Sequence, residues 1–142
     1  MEILTHSATE TQALGCKLAV SLVVGDIVCL YGDLGSGKTT FVHGLAAGLG
    51  CLMVTSSPTF TIIHTYPVSK APLKRLHHVD LYRITKARDI SKIGLEELFA
   101  DPEAAAVIEW VDKLDHLPAK RIEVHFAYGE GDMRKIRITR YE

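Results

Sequence analysis

The clearest feature of the hydrophobic pattern is a short apolar run that leads into a glycine-rich stretch and then a helical repeat. The run is Ile-Val-Cys-Leu at residues 27–30. Beyond the glycines, Phe41, Leu45 and Leu49 recur every four residues, the spacing of one helix face. The pattern predicts a buried strand, a tight loop, and a helix from about Thr39 to Leu49.

The glycine-rich stretch at residues 32–39 matches the phosphate-binding pattern G-x-x-x-x-G-K-[ST]. Glycines permit backbone turns that a Cβ forbids, so successive N–H groups can converge on phosphate oxygens. We expect Lys38 to reach the β- and γ-phosphates and the Thr39 hydroxyl to bind Mg²⁺, with the helix N-terminus facing the phosphates. The predicted nucleotide contacts are Gly32, Asp33, Leu34, Gly35, Ser36, Gly37, Lys38, Thr39 and Thr40.

The rest of the chain predicts further strands and helices around this unit. Ser7 and Glu10 form a capping-box pattern that would begin a helix running to about Ser21. Leucines at positions 14, 18 and 22 would lie on one face of that helix. The other predicted elements are strands at Thr59 to Tyr66, Leu73 to Asp80 and residues 104–109, a short helix at residues 94–99, and a hairpin of Arg121 to Tyr128 with Met133 to Tyr141.

A strand, loop and helix in this order imply a sheet with helices packed on it. The later strands are closely spaced, which favours antiparallel pairing in part of that sheet. We therefore predict one α/β domain over residues 1–142, with a P-loop NTPase-like mixed sheet flanked by helices.

The composition of the chain indicates which kinds of partner and which cellular compartment to expect. Of the 142 residues, 47% are hydrophobic and 23% are charged, an ordinary balance for a globular domain. The formal net charge of −1 gives no basic field to attract nucleic acid, so we expect any contact with RNA to run through a partner. The three cysteines are scattered and resemble small buried hydrophobes in a reducing compartment. With no signal peptide or membrane-length run in the pattern, we predict a cytoplasmic protein that makes no membrane contact.

Two carboxylates end strand-like runs and are candidates for hydrolysis chemistry. Asp80 follows residues 76–79, and Glu109 follows Val107 and Ile108. Ligands of open α/β sheets lie beyond the carboxyl ends of the strands, where phosphoryl chemistry needs Mg²⁺ and an oriented water. We expect Glu109 on the metal side and Asp80 aligning or deprotonating the water, although the sequence leaves the division of roles open.

Two further residues have alternative interpretations. Thr59 follows Pro58 in the first loop beyond the predicted P-loop helix, where a threonine can sense a γ-phosphate or simply begin a strand. Trp110 directly follows Glu109, and its ring could pack in the core or lie near a nucleotide. Position alone favours the strand start for Thr59, and the sequence leaves the role of Trp110 open.

Other polar residues favour structural roles. His77 and His78 are neighbours in a predicted strand and so point to opposite faces, which argues against a shared metal ion. A solvated face is the expected role of the basic hairpin residues Arg134, Lys135, Arg137 and Arg140, and a partner surface or a contact to the nucleotide is the alternative.

Missing motifs argue against one class of P-loop protein. The chain contains no asparagine and no D-x-x-G, so it lacks the guanine-recognition motif of Ras-like GTPases. A small-molecule kinase remains an alternative, although no clear lid insertion is visible.

The chain resembles the TsaE (YjeE) family, P-loop ATPases of bacterial tRNA threonylcarbamoyladenosine biosynthesis. Five blocks carry the resemblance in the family's order and spacing. They are residues 32–41, GDLGSGKTTF; 57–61, SPTFT; 79–83, VDLYR; 94–97, GLEE; and 107–110, VIEW.

The resemblance implies ATP binding and hydrolysis with Mg²⁺, without the transfer chemistry itself. It also implies association with a TsaB–TsaD-type heterodimer, in which TsaD transfers threonylcarbamoyl to adenosine 37 of tRNA and ATP hydrolysis resets the complex. An assembly factor with negligible hydrolysis is the alternative. By position in the matching blocks, Lys38 would hold phosphates, Thr39 and Glu109 would serve Mg²⁺, Asp80 would support hydrolysis, and Thr59 and Trp110 would belong to the site.

Two positions depart from the family pattern. Ser36 stands where alanine is usual, and its small side chain should leave the loop backbone unchanged. His43 stands where arginine is common, which puts in doubt any contact that needs a fixed positive charge.

Overall fold

A computed structural model describes residues 1–51 and 62–142 of the chain. Its strands are β1 (Glu2–Thr5), β2 (Ile27–Tyr31), β3 (Ile63–Pro67), β4 (Arg75–Asp80), β5 (Ala104–Glu109), β6 (Arg121–Tyr128) and β7 (Arg134–Tyr141). Its α-helices are α1 (Ala8–Ser21), α2 (Lys38–Gly48), α3 (Ala87–Ile90) and α4 (Leu95–Phe99), and a 3-10 turn covers Val111–Lys113.

The described strands form one mixed sheet in the order β1-β7-β6-β2-β5-β4-β3. The four central strands, β6, β2, β5 and β4, are parallel. The outer pairs, β1 with β7, β6 with β7 and β3 with β4, are antiparallel. The predicted α/β class with a mixed sheet is therefore confirmed, and the carboxyl ends of the parallel strands meet at one edge.

Helices α1 and α2 cover one face of the sheet and pack against its strands in the larger core cluster. Phe41, Leu45 and Leu49 are fully buried there, as their four-residue spacing predicts. The two helices approach closely because their contact lies at glycines. A Cβ on Gly44 would lie 2.0 Å from the Gln12 carbonyl oxygen, a distance that no side chain could occupy. This close packing fixes the position of α2, whose first turn belongs to the site.

The opposite face is covered by shorter elements. Leu95 of α4 and Val111 of the 3-10 turn pack against Cys29, Val79 and Ile108 of the sheet. This second cluster supports the segment that follows β5, where Glu109 and Trp110 lie.

The capping box at the start of α1 is confirmed in its first half. The Glu10 backbone N–H donates to Ser7 Oγ at 3.1 Å, so Ser7 is the N-cap. The Glu10 carboxylate instead accepts the backbone N–H of His6 at 3.1 Å, one residue earlier than the pattern predicts.

Some elements differ from their predictions. Strand β1 and helix α3 were not predicted, because four residues are too few to show a period. Strand β4 begins at Arg75 and not at Leu73, since the Leu73 N–H closes the preceding turn on the Lys70 carbonyl. Residues 59–61 of the predicted strand lie outside the described residues.

Burial of the cysteines is predicted correctly at two positions and wrongly at one. Cys29 and Cys51 are buried, whereas Cys16 is exposed on α1. Within the described ranges, no helix is long and apolar enough to cross a membrane.

Candidate functional site

The glycine-rich loop connects the carboxyl end of β2 to the first residue of α2. Gly35 and Gly37 have φ angles of +79° and +106°, which L-residues with a side chain rarely adopt. Gly37 is the N-cap of α2, and the helix begins at Lys38. The first turn of a helix leaves backbone N–H groups without intrahelical acceptors. The backbone N–H groups of the loop and the positive end of α2 therefore converge on the same point, where an anionic group could bind.

Lys38 is buried, with only 4% of its surface exposed. Its Nζ donates to the Gly32 carbonyl oxygen at 2.6 Å and lies 3.7 Å from the centroid of the Trp110 ring. Burial lowers the pKa of Lys38, and nearby carboxylates, first among them Glu109, oppose that shift by favouring the ammonium form. The side chain thus carries a positive charge into a low-dielectric pocket.

Glu109 links the loop helix to the centre of the sheet. Thr39 Oγ1 donates to Glu109 Oε1 at 3.3 Å, and His78 Nε2 lies 2.6 Å from Glu109 Oε2. Both Glu109 and His78 are buried, with 3% of each side chain exposed. The hydroxyl and the carboxylate are oxygen ligands of the kind that Mg²⁺ prefers.

Asp80 lies beside Glu109 at the same edge of the sheet. The two residues are register partners at the carboxyl ends of β4 and β5, so their side chains leave the same face. The Asp80 carboxylate also accepts the Tyr82 backbone N–H at 3.0 Å, which orders the turn that follows β4.

Trp110 has a strained backbone at the end of β5. Its φ of +59° is the only positive value among the described residues other than glycine. Such conformations cost free energy and cluster at functional sites. The indole lies over the Lys38 ammonium, and its ring centroid lies 5.1 Å from that of Tyr82. The half-buried ring also packs against the second core cluster, so Trp110 contacts both the core and the P-loop lysine.

These residues border a cavity of about 620 Å³. From the predicted set, the cavity is lined by Leu34, Gly35, Gly37, Lys38, Thr39, Thr40, Asp80, Glu109 and Trp110. Three predicted loop residues do not line it. Gly32 contributes its carbonyl to Lys38, Asp33 is exposed, and Ser36 is buried with its Oγ unpartnered among the described residues. Thr59 lies outside the described residues.

One part of the cavity wall was not predicted as part of the site. It is formed by Ser7, Ala8 and Thr11 at the start of α1 and by Asp132 and Arg134 of the β6–β7 hairpin. These residues are distant in sequence from the loop, and their patterns indicate only a helix cap and a turn. The start of α1 reaches the site because α1 packs on α2, with Thr11 beside Gly37, and the hairpin reaches it because β6 lies next to β2 in the sheet.

The prediction that all four basic hairpin residues form a solvated face is wrong for Arg134. Lys135, Arg137 and Arg140 are exposed, whereas Arg134 is half-buried and lines the cavity. Its guanidinium lies 4.9 Å from the centroid of the Tyr128 ring, and the Tyr128 hydroxyl donates to the Leu34 carbonyl. The hairpin is thereby bound to the glycine-rich loop.

The residues present fit a magnesium nucleotide. Glycines of positive φ, helix N–H groups and a buried lysine suit phosphates, and a hydroxyl beside a carboxylate suits Mg²⁺. The cavity has the volume of a small-molecule site. Together, the parallel sheet, the loop at the end of β2 and the helix behind it define a protein of the P-loop class.

Comparisons with known proteins identify the family. The family model described as "Threonylcarbamoyl adenosine biosynthesis protein TsaE" matches residues 5–136. The chain belongs to the TsaE family.

Several relatives cover nearly the whole chain. The tRNA threonylcarbamoyladenosine biosynthesis protein TsaE of Bacillus subtilis is 36% identical, covering 97% of this chain and 87% of the relative. The protein of the same name from Treponema pallidum is 36% identical over 98% of this chain and 100% of the relative. Among solved structures, YdiB of Bacillus subtilis superposes with a TM-score of 0.79 at 33% identity, covering 100% of this chain and 86% of that chain.

Proposed function

We propose that this protein binds ATP with Mg²⁺ and hydrolyses it as a subunit of the machinery that makes threonylcarbamoyladenosine in tRNA. Membership of the TsaE family supports the pathway. The observation that carries the ATPase proposal is the Thr39–Glu109 pair, which lies in the same cavity as the glycine-rich loop and Lys38.

Each residue has a task that follows from its position. The loop and the N-terminus of α2 bind the phosphates, and Lys38 turns its ammonium from Gly32 and Trp110 to the phosphate oxygens. Thr39 and Glu109 hold Mg²⁺, which when bound would neutralise charge on the terminal phosphates. Asp80, one strand away from Glu109, aligns the attacking water.

The proposed partner is a TsaB–TsaD-type heterodimer, through which the chain acts on tRNA indirectly. The net charge of −1 supports this arrangement, since the chain has no overall basic field of its own. A cytoplasmic location is part of the same proposal.

The test is ATP hydrolysis by the purified chain, alone and with a TsaB–TsaD-type pair. We expect a slow rate that rises with the pair and is lost in Lys38→Ala. Nucleotide binding can be followed separately by fluorescence, because Trp110 is the only tryptophan and lies against Lys38.

Two other results would each contradict the proposal. Tight ATP binding without hydrolysis in either mixture would indicate a nucleotide-dependent assembly factor. Phosphorylation of an added small acceptor without any partner would indicate a kinase.

A further inference from the structure

We propose that His78 is a positioning residue for the metal-side carboxylate: it fixes the orientation of Glu109 so that one carboxylate oxygen stays directed at Thr39 and Mg²⁺. The inference rests on the proposed function, because it assigns a role in the magnesium site described above.

The sheet brings His78 to Glu109 through its register. Asp80 is the partner of Glu109, and His78 lies two residues earlier on β4, so its side chain leaves the same face as both carboxylates. From there, Nε2 reaches diagonally across to Glu109 Oε2 at 2.6 Å.

The two carboxylate oxygens of Glu109 are thereby given different partners. An ionised carboxylate can only accept hydrogen bonds, so His78 carries the proton on Nε2 and donates it to Oε2. Oε1 faces Thr39 Oγ1 at 3.3 Å. Without the bond to His78, the carboxylate could rotate about its terminal torsion, which is intrinsically broad.

The imidazole of His78 is itself held in place by packing. His78 is 3% exposed, and its ring lies 6.4 Å from the ring of Tyr66 at an interplanar angle of 26°. Tyr66 is itself buried and stacks on His64 at 4.5 Å between centroids. The geometry therefore supports a rigid donor, which is what orienting a carboxylate requires.

His78 is not a metal ligand in this proposal. Over the part of the chain that the structure describes, no group of three or more His, Cys, Asp or Glu residues is arranged to hold a metal ion. The imidazole acts through Glu109, as the hydrogen-bonding partners of metal ligands commonly do.

The experiment measures the Mg²⁺ concentration at half-maximal change in Trp110 fluorescence, with ADP held at a fixed concentration. We expect His78→Leu to raise this Mg²⁺ midpoint by about 10- to 100-fold, the usual effect of removing such a partner. ADP affinity in EDTA should stay unchanged, since the loop and Lys38 bind phosphate without the metal. His78→Gln should restore most of the Mg²⁺ response, because its amide can place an N–H near the Nε2 position.

The adjacent histidine supplies a matched control. His77 lies on the same strand, bonds to a carboxylate, and faces the other side of the sheet. His77→Leu should leave the Mg²⁺ midpoint unchanged even if it lowers the unfolding temperature. If His78→Leu does not fold, the Mg²⁺ midpoints of His78→Asn and His78→Gln are compared instead. Only the longer amide reaches Glu109, so we expect a raised midpoint in His78→Asn alone.

The outcomes separate the inference from the function on which it rests. An unshifted Mg²⁺ midpoint in folded His78→Leu, or in His78→Asn, would overturn the role of His78 and leave the magnesium nucleotide site standing. Wild-type protein that binds ADP with no dependence on Mg²⁺ would overturn both.

Discussion

Two histidine–carboxylate pairs, formed by neighbouring residues of β4, have the same chemistry and very different surroundings. His78 bonds Glu109 on the face covered by α1 and α2, and His77 bonds Asp101 at 2.8 Å on the opposite face. One pair borders the cavity, and the other lies within a closed network of hydrogen bonds. Whether each pair can bind a ligand depends on how many acceptor positions of its carboxylate are unused.

The pair of His77 and Asp101 is saturated. The Asp101 carboxylate accepts two bonds from Arg75, at 2.9 and 2.8 Å, and the backbone N–H of Glu103 at 3.0 Å, besides the bond from His77. The other ring nitrogen of His77 bonds Thr65 Oγ1 at 2.9 Å. A carboxylate offers about four acceptor positions, so nothing remains for a ligand.

The pair of His78 and Glu109 retains bonding capacity. From the described residues, each Glu109 oxygen accepts one bond, and the carboxylate lines the cavity beside Lys38 and Asp80. A buried carboxylate with free acceptor positions beside a cavity is therefore a better indicator of chemistry than a histidine–carboxylate pair alone. Substitutions of the two carboxylates should accordingly have opposite effects on catalysis and stability.

The largest expected effect is on catalysis at Glu109. Glu109→Gln keeps the side chain's shape but removes the charge that holds the metal, so ATP hydrolysis with the partner pair should fall by about 10²- to 10³-fold. Nucleotide binding in EDTA, followed by Trp110 fluorescence, should persist. The unfolding temperature should change little, since an amide can still pair with His78 and Thr39. Hydrolysis within threefold of wild type would remove Glu109 from the machinery.

The reciprocal variant at the saturated pair should affect stability alone. Asp101→Asn breaks the two-pronged bond with Arg75, and we expect the unfolding temperature to fall by only about 3 °C, because solvent screens a pair whose arginine is exposed. Thermal unfolding followed by circular dichroism measures it. Hydrolysis per folded molecule should match wild type, and a catalytic loss as large as that of Glu109→Gln would contradict the contrast.

The pH dependence of that stability difference follows from the pKa of Asp101. Hydrogen bonds from Arg75 hold this pKa well below its ordinary value of 3.8. The ionised carboxylate therefore stabilises the fold above that ordinary value, and the contribution is lost as the pH falls toward the folded-state pKa. The free energies of unfolding of wild type and Asp101→Asn, measured with urea, should differ most near pH 7 and progressively less below pH 4. A difference that grows as the pH falls would contradict the lowered pKa of Asp101.

Local sequence predicted those parts of the molecule that local chemistry determines. The strand, loop and helix around Lys38 follow from an apolar run, glycines and a four-residue period. Asp80 and Glu109 were placed at the site because each ends a strand-like run, and the β4–β5 register brings them together. The short elements β1 and α3 could not be predicted, since their periods never become visible.

The rest of the site depends on contacts between distant segments. The sequence indicates that His77 and His78 point to opposite faces of the sheet. It does not show which of the two bonds to a carboxylate that lines the cavity. The pattern of the hairpin predicts a solvated face for Arg134, because strand alternation does not show that its end of β7 lies over the loop. These features depend on strand order and register, which no local pattern contains.

The smallest expected effect tests the part of the cavity wall formed by the hairpin. Arg134 lines the cavity, whereas Arg137, three residues along the same strand, is exposed on the other face of the sheet. Arg134→Ala should weaken ATP binding by about three- to fivefold, because a partly solvated charge contributes about 1 kcal/mol at most. Arg137→Ala should leave binding unchanged. Trp110 fluorescence at low and high salt measures both variants, and the deficit of Arg134→Ala should shrink at high salt as the charge is screened. Equal effects of the two variants would show that the hairpin acts only through overall charge, and the nucleotide site would then be confined to the loop side.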